Sequence, residues 1–116
     1  MDTKCQAVFD DIEKLIGAIN DVVQALHTSK RILRKALRAL HEGSNMVATL
    51  VATDAGETRQ GANNVLRALE SARHRSRPSV FAAGLDEGTT FRELARAWGF
   101  SRQLAAKYAK EVRGSS

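Results

Sequence analysis

Apolar residues recur at helical spacing along most of the chain, and the clearest series starts near its beginning. From Val8 onward, apolar side chains repeat at alternating intervals of four and three residues, the spacing of a heptad repeat. The members of this seam are Val8, Ile12, Leu15, Ile19, Val22 and Leu26. Leu33 and Leu40 continue it beyond Ser29, which is polar where an apolar residue is expected. We predict one long helix over residues 6–41, which would be roughly 54 Å long.

A helix of that length is too long for one small domain to cover. The chain has 116 residues, enough for a single modest core. Part of the seam must therefore meet a second copy of the helix or fold against the rest of the chain. The heptad spacing favours self-association, so we predict a homodimer through this helix. The alternative is a core stripe inside a monomeric helical bundle.

The middle of the chain predicts shorter helices separated by breaks. Apolar residues at positions 46, 47, 50 and 51 predict a second helix after the stop at Gly43. The stretch TDAGETRQGANN, residues 53–64, contains two glycines and predicts a loop or a frayed helix. A third helix follows from Val65 and ends before Pro78, and the proline then opens a short helix that includes Phe81. The chain is therefore predicted to be all-α.

Near the end, the pattern predicts two helices joined by a tight turn. Thr90 is placed to cap a helix over residues 91–98, with Glu93 at the capping-box position. That helix is expected to bury a face made of Phe91, Leu94, Ala95 and Trp98. Gly99 then permits a sharp turn, Phe100 fills the space beneath it, and Ser101 caps a final helix.

These residues resemble the helix-turn-helix of bacterial DNA-binding proteins, in particular small regulators of the actinobacterial type. The matching residues are Leu94, Ala95, Gly99, Phe100, Ser101 and Tyr108, within EGTTFRELARAWGFSRQLAAKYAKE. The resemblance covers about a quarter of the chain, and Ala105 departs from it where valine or isoleucine is more usual. It implies a recognition helix that enters the major groove of double-stranded DNA.

The face of the last helix carries the residue types that such a role requires. The predicted DNA-binding residues are Ser101, Arg102, Gln103, Ala106, Lys107, Lys110 and Arg113. Arg102 and Gln103 have forked side chains that match the edges of guanine and adenine. Ser101 suits a phosphate at the helix N-terminus, and the lysines suit the DNA backbone. Three further arginines are predicted to contact phosphates: Arg73, Arg75 and Arg77. The structural alternative is an ordinary helical hairpin.

Charge supports a polyanionic partner without identifying it. The formal charge is +5 and the calculated isoelectric point is 9.9. Residues 1–29 hold five acids and two bases, whereas residues 30–42 hold five bases and one acid. A basic stripe within that second segment consists of Arg31, Arg34, Lys35 and Arg38. It is either a solvated helix face or a second contact to DNA or an acidic partner.

Other classes of function find little support in the sequence. Cys5 is the single cysteine and no metal-binding spacing occurs, so neither a disulfide nor a metal site is predicted. No nucleophile motif or phosphate loop is present, and we predict no enzyme activity and no cofactor. No apolar run reaches the ~20 residues of a membrane span, and no signal peptide is visible. With the single cysteine, this favours a cytoplasmic protein, and the expected DNA binding would place it at the nucleoid.

The sequence thus predicts two regions: residues 1–56 for helical oligomerisation and residues 57–116 for DNA binding by a helix-turn-helix. We expect a transcriptional regulator or a nucleoid-associated factor that binds as a homodimer. The alternative is a helical adaptor whose basic faces bind an acidic protein partner.

Overall fold

The computed structural model describes residues 2–99 together with Lys107 and Lys110. Within residues 2–99 the regular elements are α-helices, and no strand is present in that range. The helices are α1 (Thr3–His41), α2 (Met46–Ala52), α3 (Ala55–Asp86) and α4 (Phe91–Trp98). The predicted all-α class is confirmed for this part of the chain.

The helices form two compact units. The first unit combines the beginning of the chain, up to Leu15, with the chain from Ser71 onward. The second unit comprises residues 16–70, and so contains most of α1, all of α2 and the first half of α3. The boundary predicted after residue 56 stays a prediction, and that residue lies near the start of α3.

The long helix α1 is confirmed, and both of its ends are capped. At the start, the Asp2 carboxylate accepts a hydrogen bond of 2.8 Å from the backbone N–H of Cys5. This bond lowers the pKa of Asp2, because it stabilises the charged carboxylate. At the end, Gly43 adopts a φ of 100°, and the N–H of Ser44 donates to the carbonyl of Ala39. A left-handed residue with that bond ends a helix in the Schellman manner.

The residues of the predicted seam are divided between two faces of α1. Val22 is buried, while Val8, Ile12 and Leu15 are half-buried. The remaining two, Ile19 and Leu26, are exposed. That the seam forms a dimer contact stays a prediction. Its six side chains differ in their exposure to solvent.

Helix α2 is confirmed and has an unusual distribution of side chains. Asn45 caps it by accepting a hydrogen bond of 2.8 Å from the N–H of Ala48. Its buried residue is Thr49, whose hydroxyl donates to the carbonyl of Asn45. The large apolar residues of α2 are all exposed: Met46, Val47, Leu50 and Val51. The second unit therefore leaves apolar surface at this helix.

The loop or frayed helix predicted over residues 53–64 is confined to a turn at Thr53 and Asp54, and the prediction is wrong from Ala55 onward, because α3 starts there and runs through both glycines. A Cβ at Gly56 or at Gly61 would meet no atom within 4 Å, so neither glycine is required by close packing. One face of this half of α3 is shielded from solvent at Ala55, Thr58, Ala62, Val65 and Leu69. Packing along this face offsets the low helix propensity of glycine, which costs about 1 kcal/mol per residue.

The break predicted at Pro78 is also wrong, because the proline lies inside α3. Proline lacks the N–H of an interior helical residue and costs about 3 kcal/mol there. It lies, however, in the most deeply packed stretch of the helix. The buried residues of this stretch are Ala72, Ser76, Phe81, Ala83 and Gly84. Their packing holds the helix together where local propensity would end it.

Candidate nucleic-acid interface

The corner between α3 and α4 is built from local signals that the sequence displays. After α3 ends, Gly88 adopts a φ of 91° and reverses the chain. The Thr90 hydroxyl accepts a hydrogen bond of 3.2 Å from the N–H of Glu93, and the Glu93 carboxylate in turn accepts from the N–H of Thr90. The predicted capping box is thus confirmed, and it fixes where α4 begins.

Helix α4 packs closely on the last turns of α3. The rings of Phe81 and Phe91 stack with their centroids 5.8 Å apart, and Phe81 is fully buried. Gly84 lies directly beneath Leu94, since a Cβ on this glycine would be 2.4 Å from Leu94 Cδ2. Ala95 is 5% exposed, which confirms its predicted burial. The sequence reasoning did not single out Gly84, although glycine within an apolar helical face can indicate a close approach.

The beginning of α1 joins the same unit by polar contacts to α3. The hydroxyl of Ser79 donates a hydrogen bond to the Asp11 carboxylate. Lys4 and Asp86 form an ion pair of 3.1 Å, in which both side chains are about half exposed. Such a surface pair contributes little stability. Together the two contacts show that α1 and α3 run antiparallel here, because a later residue of α1 contacts an earlier residue of α3.

The corner at the end of α4 matches the sequence prediction in part. Gly99 adopts the left-handed conformation with a φ of 88°, and its N–H donates to the carbonyl of Ala95 at 2.9 Å. The left-handed conformation of Gly99 is the one that the predicted turn requires, and the turn into a second helix stays a prediction. Trp98 was expected to be buried, and this is wrong, because it is 40% exposed. Phe100 and Ser101 lie outside the described residues.

Two arginines that the sequence reasoning did not select lie on the exposed side of α4. Arg92 and Arg96 are four residues apart and therefore share one helix face. With Thr90 and Glu93 they line a shallow depression of about 520 Å³. The signal that could have found them is the position of the buried residues, because Leu94 and Ala95 define the inner side of this helix.

Of the residues predicted to contact DNA, two belong to the described part of the chain. Lys107 and Lys110 are both helical and both exposed. They are three residues apart and so share one helix face. The other predicted contacts lie outside the described residues: Ser101, Arg102, Gln103, Ala106 and Arg113. The three arginines predicted to contact phosphates lie on α3, where Arg73 and Arg75 are exposed and Arg77 is half-buried.

Among the described residues, no group of three His, Cys, Asp or Glu side chains is placed to hold a metal ion. Burial, and secondarily a hydrogen bond with Asp2, raises the pKa of the Cys5 thiol, so this thiol keeps its proton at neutral pH. Within the part of the chain that is described, no helix is sufficiently long and apolar to cross a membrane.

The predicted basic stripe on α1 is exposed along its whole length, at Arg31, Arg34, Lys35 and Arg38. Two leucines beside it, Leu33 and Leu37, are exposed as well. The stripe therefore lies next to apolar surface. In comparisons with known proteins, no family model, curated protein or solved structure matches the chain.

Proposed function

We propose that the protein binds double-stranded DNA through its C-terminal helices, as a homodimer that regulates transcription or organises the nucleoid. One observation carries the proposal: a capped helix, α4, ends at a left-handed glycine and is followed by exposed helical lysines. These features support the proposed helix-turn-helix, a motif whose second helix enters the major groove.

Charge at this end of the chain supports the same conclusion. Residues 89–116 contain six bases and two acids. The exposed cations Arg92 and Arg96 on α4, together with the exposed Lys107 and Lys110, can neutralise phosphates. Phosphate contacts position a protein on DNA, and the base contacts assigned to Arg102 and Gln103 would supply the choice of sequence.

Salt dependence of binding is the test of this proposal. Fluorescence anisotropy with a labelled duplex should show the logarithm of affinity falling linearly with the logarithm of salt concentration. Lys107→Ala and Lys110→Ala should each reduce that slope by about 0.9. Lys14→Ala, an exposed lysine in the acidic part of α1, is the matched control and should leave the slope unchanged. A slope near zero for the parent protein would remove DNA as the partner.

The second candidate is a helical adaptor that binds an acidic protein. The exposed basic stripe on α1 favours it, because the stripe adjoins exposed leucines and protein interfaces combine charge with apolar contact. If the protein is an adaptor of this kind, Arg31→Ala and Arg38→Ala should lower its affinity for the acidic partner, whereas Lys107→Ala should leave that affinity unchanged. The same set of variants therefore separates the two functions.

A further inference from the structure

One face of α1 exposes a continuous row of large apolar side chains. The row, here called the outer seam, consists of Ile16, Ile19, Val23, Leu26, Leu33 and Leu37. These side chains are between 45% and 69% exposed. With Lys30 counted, they follow one another at intervals of three, four, three, four, three and four residues. That is an unbroken heptad spacing, which is typical of a helix that packs against another helix.

The chain's own packing uses a different face of α1. The buried residues of the helix are Val22 and Ala36. Val23 and Leu37, the residues that follow them, are rotated by about 100° around the axis and belong to the outer seam. The inner face therefore carries smaller side chains than the outer seam. Contiguous exposed apolar surface of this kind marks an interaction site.

Charge along α1 indicates what covers the outer seam. The first half of the helix carries four acids and two bases, which are Asp10, Asp11, Glu13 and Asp21 with Lys4 and Lys14. The second half carries five bases and no acid, and these bases are Lys30, Arg31, Arg34, Lys35 and Arg38. Two parallel copies would place acid beside acid and base beside base. Two antiparallel copies would place each acidic half beside a basic half. The outer seam is thus complementary to itself in one direction.

We propose that the outer seam is the interface between two copies of the chain, with their α1 helices packed antiparallel. The proposal rests on the dimer that forms part of the proposed function. It assigns the face of α1 that forms the contact, the relative direction of the two α1 helices and the pairing of their residues. When the seam residues of the two copies lie side by side at the same heights, Val23 is opposite Leu26 of the second copy. In this register, Ile16 is opposite Leu33 of the second copy.

The same register pairs opposite charges along one edge of the seam. Glu13 directly follows Ile12, and Arg34 directly follows the seam residue Leu33, so both occupy equivalent edge positions of the heptad. Equivalent edges meet in an antiparallel pair. Along the helix axis, Glu13 of one copy is then separated from Arg34 of the second copy by about 3 Å.

The end of the seam adjoins a groove that can receive a side chain. In the second unit, α1 and α2 enclose a space of about 640 Å³, lined by Leu33, Leu37, Met46 and Leu50 among others. Phe9 occupies the heptad position seven residues before Ile16 and is 49% exposed. In the antiparallel register, Phe9 of the second copy comes level with Leu40, which also lines the groove. An aromatic ring is a suitable occupant for an apolar space of this kind.

The first experiment is sedimentation equilibrium of the full chain at tens of micromolar without DNA. We expect a dimer for the parent protein. Leu26→Arg puts a charge at the centre of the seam and should weaken the dimer by roughly tenfold or more. Thr28→Arg is the control, because it adds the same charge about 200° around the same helix, where Thr28 is exposed. A monomeric parent, or a Leu26→Arg variant as dimeric as the control, would overturn the interface.

The second experiment tests direction by charge reversal. Arg34→Glu alone should weaken the dimer several-fold, because each dimer contains the Glu13–Arg34 pair twice. Adding Glu13→Arg to the same chain should restore the affinity. These residues are exposed in the single chain, so folding is preserved, and circular dichroism checks it. Failure of the double variant to recover would contradict the antiparallel register.

A distance measurement on the native cysteine decides direction independently. Cys5 is the single cysteine and lies close to one end of α1. Nitroxide labels on Cys5 should be about 58 Å apart in the antiparallel dimer, whereas a parallel dimer would place them about 10 Å apart before label length is added. A short distance would refute the proposal. None of these three experiments contains DNA, so a negative result in them leaves the salt-dependence test of DNA binding unaffected.

Discussion

Replacing Gly84 by alanine tests how closely α3 and α4 pack at the candidate interface. The added Cβ would lie 2.4 Å from Leu94 Cδ2 and 2.9 Å from Leu94 Cδ1. Carbon atoms in contact are normally about 3.5–4.0 Å apart. Both methyl groups obstruct the new atom, so either the Leu94 side chain must leave its place or α4 must move away. Overpacking of this kind costs about 1–3 kcal/mol.

A second glycine of α3 supplies the reference for this cost. At Gly61 an added Cβ would meet nothing within 4 Å. Gly61→Ala should therefore stabilise the protein by about 1 kcal/mol, the gain in helix propensity. Gly84→Ala makes the same gain and also suffers the clash. Its free energy of unfolding should be lower than that of Gly61→Ala by about 1–3 kcal/mol.

Urea denaturation followed by circular dichroism measures both variants, and fluorescence reports α4 specifically, because Trp98 is the single tryptophan. In a protein that also carries Leu94→Ala, the clash should disappear. Gly84→Ala should then stabilise the protein, as Gly61→Ala is expected to do. Equal stabilisation by the two glycine substitutions in the parent protein would refute the close approach. A deficit at Gly84 that persists without the Leu94 side chain would assign the effect to another cause.

Three further predictions concern caps and contacts. Thr90→Ala removes the acceptor for the N–H of Glu93 and should cost about 1 kcal/mol in the free energy of unfolding by urea titration, whereas Thr90→Ser should cost little. The pKa of Asp2 is lowered in the folded state. The stability that this cap adds is therefore present above the unfolded-state pKa and is lost as the pH falls through the folded-state pKa. Asp2→Asn should reduce the loss of stability at acid pH in thermal melts from pH 2 to 6. Arg102→Ala and Gln103→Ala should each lower discrimination between DNA sites by about 1–3 kcal/mol, and unchanged discrimination in gel-shift titrations would exclude them as base contacts.

The helix ends near the candidate interface could be predicted from the sequence because their signals are local. Thr90 and Glu93 form the predicted capping box, and Gly99 adopts the predicted left-handed turn. Such signals depend on hydrogen bonds within a few residues. The exposure of Trp98 could not be predicted in this way, because it depends on which other elements lie beside α4. The same limitation applies to Gly84, whose role is set by a residue ten positions later.

The continuity of α3 and its start at Ala55 were not predicted, because many of its core positions are small or polar. Its shielded residues follow a regular spacing of three and four, from Ala55 through Thr58, Ala62, Val65, Leu69, Ala72 and Ser76. The periodicity is present in the sequence, but a search for large apolar side chains passes over it. Glycine and proline then indicate breaks by their local propensities. Tertiary packing outweighs those propensities over a helix of 32 residues.

Several buried side chains of the protein are small, whereas many of its large apolar side chains are exposed. Side chains such as Ala36, Ala72 and Ser76 allow helices to approach closely, but they remove little apolar surface from water. The side chains that would contribute most on burial, including Leu33 and Leu37, remain exposed. In the dimer proposed above, covering α1 would remove these side chains from water and add to the stability of the folded chain. The distribution of charge along α1 would then favour one orientation of the second copy.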